Sequence, residues 1–187
     1  MDMSQSSLPE IIETKRLVLR PYRFEDVEDV LSYATDEEWS KFLPVPRPYE
    51  RKDAIQFLAR MTLLDRLVHP SWAIAVDQQV VGGINIRFDF QNRLGEMGWS
   101  IARPLWGQGL TTEAAIAVIE AAFDAYPDLN RIQAMADARN RASQRVMEKI
   151  GMRHEGTLRQ SRITRDELVD EVWFGMLRAE WETGQLG

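Results

Sequence analysis

The period of apolar and polar positions changes several times along the chain, and each change predicts an element. Leu17 and Leu19 alternate with polar or exposed positions over Arg16 to Arg20 and the run stops at Pro21, which predicts a strand of about five residues. Val27, Val30, Leu31 and Ala34 then recur at helical spacing with acids on the other face. Lys41 to Pro48 carries Pro44, Pro46 and Pro48 and must be an extended loop. A second amphipathic helix follows on Ala54, Phe57, Leu58, Met61 and Leu64. Next comes strand alternation: Trp72, Ile74 and Val76; then Ile84, Ile86 and Phe88; then Met97, Trp99 and Ile101. With short turns such as Asp77-Gln78-Gln79 between them, these predict an antiparallel meander. A long helix is expected from about Gly109 to Ala125, ahead of Pro127, with Leu110, Ala114, Ala117, Val118 and Ala121 inward. Ile132, Ala134 and Ala136 predict a strand, and Ala142, Val146 and Ile150 a helix from near Asn140 to a C-terminal cap at Gly151. Val169 to Leu177 is the closing strand. The order βααβββαβαββ predicts a mixed α/β (α+β) fold: a twisted sheet of about seven strands flanked by about four helices.

The chain has 187 residues, 44% of them apolar and 28% charged, which suits one globular domain over residues 1–187. Its first 13 residues are expected to be loosely ordered. The absence of cysteine excludes a disulfide scaffold, a thiolate zinc site and a cysteine nucleophile. Two histidines, His69 and His154, make a histidine metal site a poor expectation, so no metal is predicted. No apolar run reaches the roughly 18 residues of a membrane span, and Met1 to Glu10 has no secretory core, so a cytoplasmic protein is expected.

The net charge of −6 argues against nucleic-acid binding, but it is unevenly spread. Glu25, Asp26, Glu28, Asp29, Asp36, Glu37 and Glu38 form an acidic stretch; Arg139, Arg141, Arg145, Lys149, Arg153, Arg159 and Arg162 form a basic one. Either is a solvated face, or the first is a cation-attracting rim and the second a wall for a polyphosphate.

The passage from strand to helix over Ile101 to Glu113 carries the strongest chemical signal. Gly107 and Gly109 stand just before a strong helix former run. Glycines there let backbone N–H groups turn around an anion while the helix start adds its positive dipole end, so a diphosphate is the natural ligand. Spacing alone leaves a merely structural glycine pair equally open. A dinucleotide-binding oxidoreductase needs Gly-x-Gly-x-x-Gly, yet the third position is Thr112 and the preceding strand belongs to a meander.

This passage resembles the acyl-CoA pyrophosphate loop of the GNAT superfamily of N-acetyltransferases, written Gln/Arg-x-x-Gly-x-Gly/Ala. In register, Trp106 takes the Gln/Arg position, Gly109 the glycine and Thr111 the last Gly/Ala, so the match departs at two places. Trp106-Gly107-Gln108-Gly109-Leu110 with Thr112-Glu113-Ala114 is similar to the ribosomal-protein acetyltransferase (RimJ/RimL-like) branch. Thr14 to Pro21, Asn130-Arg131-Ile132, Asn140-x-x-Ser143, Lys149 to Met152, Glu155 to Arg159 and Asp170 to Trp181 resemble the same branch, covering about residues 14 to 181.

The resemblance implies a GNAT fold, acetyl-CoA as co-substrate and direct acetyl transfer to a primary amine. It implies that strands splay beside the loop and that Trp99, Ser100 and Ile101 offer a backbone edge to the pantetheine arm, with Gly98 suited to a bulge or close approach. Trp106, Gly107, Gln108, Gly109, Leu110, Thr111 and Thr112 are the expected diphosphate turn. Glu96 is the candidate base, through water, or else a solvent-facing strand acid. Ser143 is the candidate donor to the CoA sulfur, or a capping serine; many relatives use a tyrosine there, and this chain has none after Tyr126. Asn140 either holds the pantetheine amide or caps its helix. Trp39, Phe42, Tyr49 and Trp72 line an acceptor pocket or belong to the core. The branch suggests a protein N-terminal α-amine as acceptor, with small amines and antibiotics as the alternative; a catalytically silent acyl-CoA-binding protein is the rival from another class. Monomer and homodimer are equally compatible with the sequence.

Overall fold

The computed structural model describes residues 7–184. Its strands are β1 (Ile12–Glu13), β2 (Val18–Arg20), β3 (Ser71–Val76), β4 (Gln79–Asp89), β5 (Leu94–Ile101), β6 (Arg131–Asp137), β7 (Arg153–Thr164) and β8 (Glu167–Leu177). Its α-helices are α1 (Val27–Ala34), α2 (Arg51–Leu63), α3 (Leu110–Ala125), α4 (Arg141–Lys149) and α5 (Arg178–Glu182). The strands form one sheet in the order β1-β2-β3-β4-β5-β6-β8-β7. The expected mixed α/β arrangement holds, with eight strands in place of about seven and α5 added after β8.

The expectation of loose order over residues 1–13 is corrected for residues 8–13. Leu8 is buried in the main core, β1 pairs with β2, and the Pro9 carbonyl accepts a hydrogen bond from the Trp72 indole at 3.2 Å. Residues 1–6 lie outside the described ones.

The meander β3-β4-β5 is antiparallel as its alternation predicts. Asp77 and Gln78, both at positive φ, make the two-residue turn whose twist suits a hairpin, and Arg165 and Asp166 repeat that device between β7 and β8. Odd positions of β5 and, past the irregularity in the β3–β4 register, Ile84, Ile86 and Phe88 of β4 face a core with α3 and α4; Met97, Ala114, Val118 and Met147 are buried there with them. The opposite face is covered by α1 and α2, through Val30, Ala34, Ala54 and Leu58 against Ala73 and Val80.

Among the described strands only β5 and β6 run parallel. Their pairing stops at Met97 opposite Ala134, although β5 continues to Ile101 and β6 to Asp137. Beyond that point β4 still holds β5, and β8 still holds β6. The sheet therefore opens into a wedge with one free backbone edge on each side, and that wedge positions the site.

Candidate active site

The glycine turn closes the α3 side of the wedge. Gly107 and Gly109 have φ of +77° and +78°. A β-carbon at Gly107 would meet nothing within 4 Å, and one at Gly109 would meet only the Arg16 guanidinium at 3.7 Å. What glycine supplies here is backbone conformation, which costs an ordinary side chain about 1–2 kcal/mol through clash with the following carbonyl. Gly109 occupies the N-cap of α3 without a side-chain cap, so the N–H groups of Leu110, Thr111 and Thr112 have no partner in a preceding turn.

One departure from the loop pattern, Trp106, has a structural role. The Trp106 indole donates to the Ile101 carbonyl at 2.8 Å, tying the turn to the end of β5. The Gln108 side chain folds back onto the Pro104 carbonyl, and its own carbonyl accepts from Arg16. Arg16 and Thr14 also grip Glu113, with bonds of 2.6 Å from Arg16 Nε, 2.9 Å from its backbone N–H and 2.7 Å from Thr14 Oγ1. A free carboxylate in the first turn of α3 would repel an anion; paired this way, it is neutralised instead.

Burial pushes the Glu113 carboxyl up, but the bonds from Thr14 and Arg16 and the guanidinium charge outweigh it and hold the group below its ordinary value. A lowered folded-state pKa contributes stability that is complete above the ordinary glutamate range and is lost as pH falls through the folded value. Glu113→Gln is expected to lower Tm by about 2–4 °C near neutral pH, equivalent to about 1 kcal/mol. The gap should close in acid, and melting curves of both proteins from neutral to strongly acidic pH check it.

Two clefts meet in the wedge. The first, about 430 Å³, runs along the glycine turn, the start of α4 and the loop after α1. The second, about 320 Å³, lies on the face of α1 and α2. Phe42, Leu43, Trp99, Ser100, Asn140 and Ser143 line both. Of the residues singled out in the sequence, Trp99, Ser100, Ile101, Trp106, Gly107, Gly109, Leu110, Thr111, Thr112, Asn140 and Ser143 surround the first cleft, while Gln108 does not line it.

Glu96 lines neither cleft. It shares the strand face of Gly98 and Ser100 but sits one residue pair further from the wedge. Arg87 holds one of its oxygens at 2.9 Å and Gln133 the other at 3.2 Å. The β4–β5 register runs unbroken through Gly98, so the expected bulge is absent; the Asn85 amide is 3.3 Å from where a Gly98 side chain would begin.

Asn140 and Ser143 form a local unit at the start of α4. Asn140 Oδ1 accepts from the Ser143 N–H at 3.2 Å as a helix cap, and this fixes the orientation of the amide. Asn140 Nδ2 then donates to Ser143 Oγ at 3.1 Å. The hydroxyl oxygen is thereby occupied as an acceptor, and its proton is left for the cleft.

The charged stretches divide by partner. In the basic one, Arg139 is bound to Asp137 and Glu167, Arg153 to Glu180, and Arg162 to Glu171. Arg145 and Lys149 line the first cleft and, among the described residues, have no carboxylate partner. The acidic stretch is not an open rim: Asp26 pairs with Arg20, Asp36 with Arg103 and Glu28 with Arg51, while Asp29 accepts from the Val80 N–H. Trp72 is wholly buried and Tyr49 packs under α1 and α2, so only Phe42 of the four predicted aromatics lines the second cleft. Trp39 lines the first.

Sequence reading passed over Gly82, where a β-carbon would overlap the Ser100 carbonyl oxygen, and Gly83 beside it. A glycine pair inside a strand pattern was the available signal of close approach. Among the described residues no cluster of three or more His, Asp or Glu is arranged to hold a metal, and no helix is long and apolar enough to cross a membrane.

Residues 16–153 match the family described as "Acetyltransferase (GNAT) domain". The chain is 32% identical over 171 residues to the uncharacterized N-acetyltransferase YnaD of Bacillus subtilis, covering 91% of this chain and 98% of YnaD. The crystal structure of a GNAT-family acetyltransferase from Bacillus anthracis superposes with a TM-score of 0.80 at 28% identity, covering 91% of this chain and 99% of that one. RimL, described as a ribosomal L7/L12 alpha-N-protein acetyltransferase in complex with coenzyme A, shares the fold with a TM-score of 0.80 at 17% identity, covering 90% of this chain and 98% of that one.

Proposed function

The chain belongs to the GNAT acetyltransferase domain family, and on that premise we propose that it moves acetyl from acetyl-CoA directly to a primary amine, the α-amine of a protein or peptide N-terminus. The observation that carries this reading is the meeting of two clefts over Trp99, Ser100, Asn140 and Ser143. One cleft has the chemistry of a diphosphate site and the other can admit a nucleophile.

Acetyl-CoA supplies an activated thioester when bound. The unpartnered N–H groups of Leu110 to Thr112 and the start of α3 suit its diphosphate, and Arg145 and Lys149 suit its remaining phosphate charge. The free edge of Trp99 to Ile101 suits the amides of the pantetheine arm. Backbone N–H groups near Ser100 or Ile101 hold the carbonyl oxygen as the amine's lone pair forms the new C–N bond. Ser143 donates to the sulfur as the C–S bond breaks.

The acceptor cleft favours an amine on an apolar body. Phe42, Leu43, Pro44, Phe57 and Met61 form one wall. Its one acid, Asp137, is held by Arg139, whose bonds and charge outweigh burial and keep the carboxyl below its usual value. A polyamine or aminoglycoside would meet no unpaired carboxylate among the described lining residues. An α-amine also has a pKa about 2.6 units below lysine's, so deprotonating it costs roughly 3.5 kcal/mol less.

Thiol release from acetyl-CoA tests the reading, with short peptides bearing free N-termini set against spermidine and aminoglycosides. Faster release with the polycations would overturn the acceptor class; none with any amine would overturn the transfer.

Glu96 enters this scheme only through water, because it lines neither cleft. Its removal should therefore cost less than that of a base touching the amine. Glu96→Gln is expected to lower kcat/KM about 3- to 10-fold near neutral pH, below the 10²- to 10⁴-fold of direct base catalysis. The deficit should shrink as pH rises and amine arrives neutral, which a pH–rate profile with an accepted peptide checks.

A further inference from the structure

We propose that the Tyr22 hydroxyl is a binding group for the acceptor, donating a hydrogen bond to the carbonyl oxygen next to the attacking amine, and that Gly83 exists to seat it. The inference rests on the peptide-acceptor reading above.

Tyr22 follows β2 and Pro21, and its ring lies across β4 under α2. Phe57 meets that ring nearly edge-on, with centroids 5.2 Å apart and planes at 84°. The hydroxyl sits where Gly83 would carry a side chain: a β-carbon there would overlap the phenol oxygen. Gly83 is not among the residues at positive φ, so its backbone does not require glycine. A glycine inside a strand is less favourable than alanine, because its freer unfolded backbone loses more on folding. The return on that loss is space for one hydroxyl group.

That space is next to the reaction centre. Gly83 pairs directly with Ser100 on β5, and opposite β-carbons in such a pair are about 5 Å apart. Ser100 lines both clefts, whereas Tyr22 lines only the acceptor cleft. The hydroxyl thus stands on the acceptor side of the point where the thioester is expected. Among the described residues its one protein partner is the Gly82 carbonyl at 3.5 Å, the outer limit of a hydrogen bond, so its donor is available to a ligand. Burial, with Asp26 and Tyr49 adding to it against Arg20, drives the phenol pKa far above its usual value. The group is a neutral donor across the working pH range.

A neutral donor at this place selects for an oxygen acceptor close to the amine. The first carbonyl of an N-terminal residue has one; an alkylamine does not, and a second ammonium has only donors. Losing one neutral hydrogen bond of this kind amounts to about a 3- to 10-fold change in affinity.

The test uses two conjugates in which the CoA sulfur is joined through an acetyl linker to an amine, either the α-nitrogen of Met-Ala-Ala or hexylamine. Calorimetry compares them with CoA itself. Wild-type protein is expected to bind the peptide conjugate more tightly than the hexylamine conjugate. Tyr22→Phe, which keeps the ring and its packing on Phe57, should lose about 3- to 10-fold for the peptide conjugate and nothing for the other two ligands. Gly83→Ala should displace the hydroxyl and give the same selective loss, and the double variant should lose no more than either alone. Undiminished binding of the peptide conjugate by Tyr22→Phe, or an equal loss for all three ligands, overturns the assignment. If the wild type gains nothing from the peptide part, the peptide-acceptor reading falls and the role of Tyr22 with it, while retained CoA binding leaves the acyl-CoA site standing.

Discussion

Gly109→Asp is expected to weaken acetyl-CoA binding about 10³-fold while leaving the melting temperature close to that of the wild type. Gly109 is the N-cap of α3 at φ +78°. Aspartate is among the few side chains that tolerate this left-handed conformation, and it is a favoured N-cap. The local space is open, with only the Arg16 guanidinium at 3.7 Å from the new β-carbon. The variant therefore folds, and its carboxylate settles on the N–H groups at the start of α3. Those are the groups a diphosphate needs. The ligand would have to displace a covalently attached anion or lie beside it. Two charges about 4 Å apart in a partly screened setting repel by about 4 kcal/mol, which gives the stated factor. Gly109→Asn separates charge from shape: the neutral amide fills the same space, so its loss should be about tenfold or less. Calorimetry on both variants decides. Wild-type affinity in Gly109→Asp would move the diphosphate away from this turn, and equal losses in the two variants would make the effect steric.

The contrast between what periodicity reveals and what it hides is visible around this site. The meander, α3 and α4 were legible because each spans enough residues for its period to emerge and ends at a breaker, such as Pro127 or Gly151. β1 has two residues and α5 follows β8 without a break, so neither leaves a pattern. Trp72, open in the sequence between acceptor pocket and core, shares the strand parity of Ile74 and is buried with it in the core. Strand parity puts Glu96 on the face of Gly98 and Ser100, and both of those residues line the acceptor cleft. How far along β5 the wedge opens is a different matter. It depends on where β6 stops pairing, at Ala134, and pairing across 37 residues leaves no local trace. Charge runs leave the reading open for a related reason, since counting acids does not show that Asp26, Asp29 and Asp36 each have a structural partner. Arg16 and Glu113 are 97 residues apart in sequence, and only their contact shows that the acid at the start of α3 is paired.

Ser143→Ala is expected to lower kcat about 10²-fold with little change in the dissociation constant for CoA. The asymmetry follows from when the hydroxyl matters. A thioester sulfur is a weak hydrogen-bond acceptor, but it becomes anionic as the C–S bond breaks, so a donor there stabilises the transition state more than the ground state. Removing one such donor from a preorganised site costs about 10²- to 10³-fold, and α4's own dipole, at whose N-terminus the hydroxyl sits, remains to hold part of the charge. Preorganisation comes from Asn140. Because its oxygen caps the Ser143 N–H at 3.2 Å, its amide nitrogen must face Oγ, at 3.1 Å, and the serine proton is turned toward the cleft. Asn140→Asp tests this orientation separately. Aspartate caps a helix as well as asparagine does, so stability should hold, but it has no N–H to give. Its carboxylate would accept the serine proton and turn the donor away from the sulfur. The kcat of Asn140→Asp should therefore fall nearly as far as that of Ser143→Ala, and combining the two should add little. Steady-state kinetics with an accepted peptide, calorimetry with CoA and melting curves supply the three readouts. Full turnover in Ser143→Ala would reduce the serine to a capping residue, and full turnover in Asn140→Asp alone would show that the proton reaches the sulfur without the asparagine's direction.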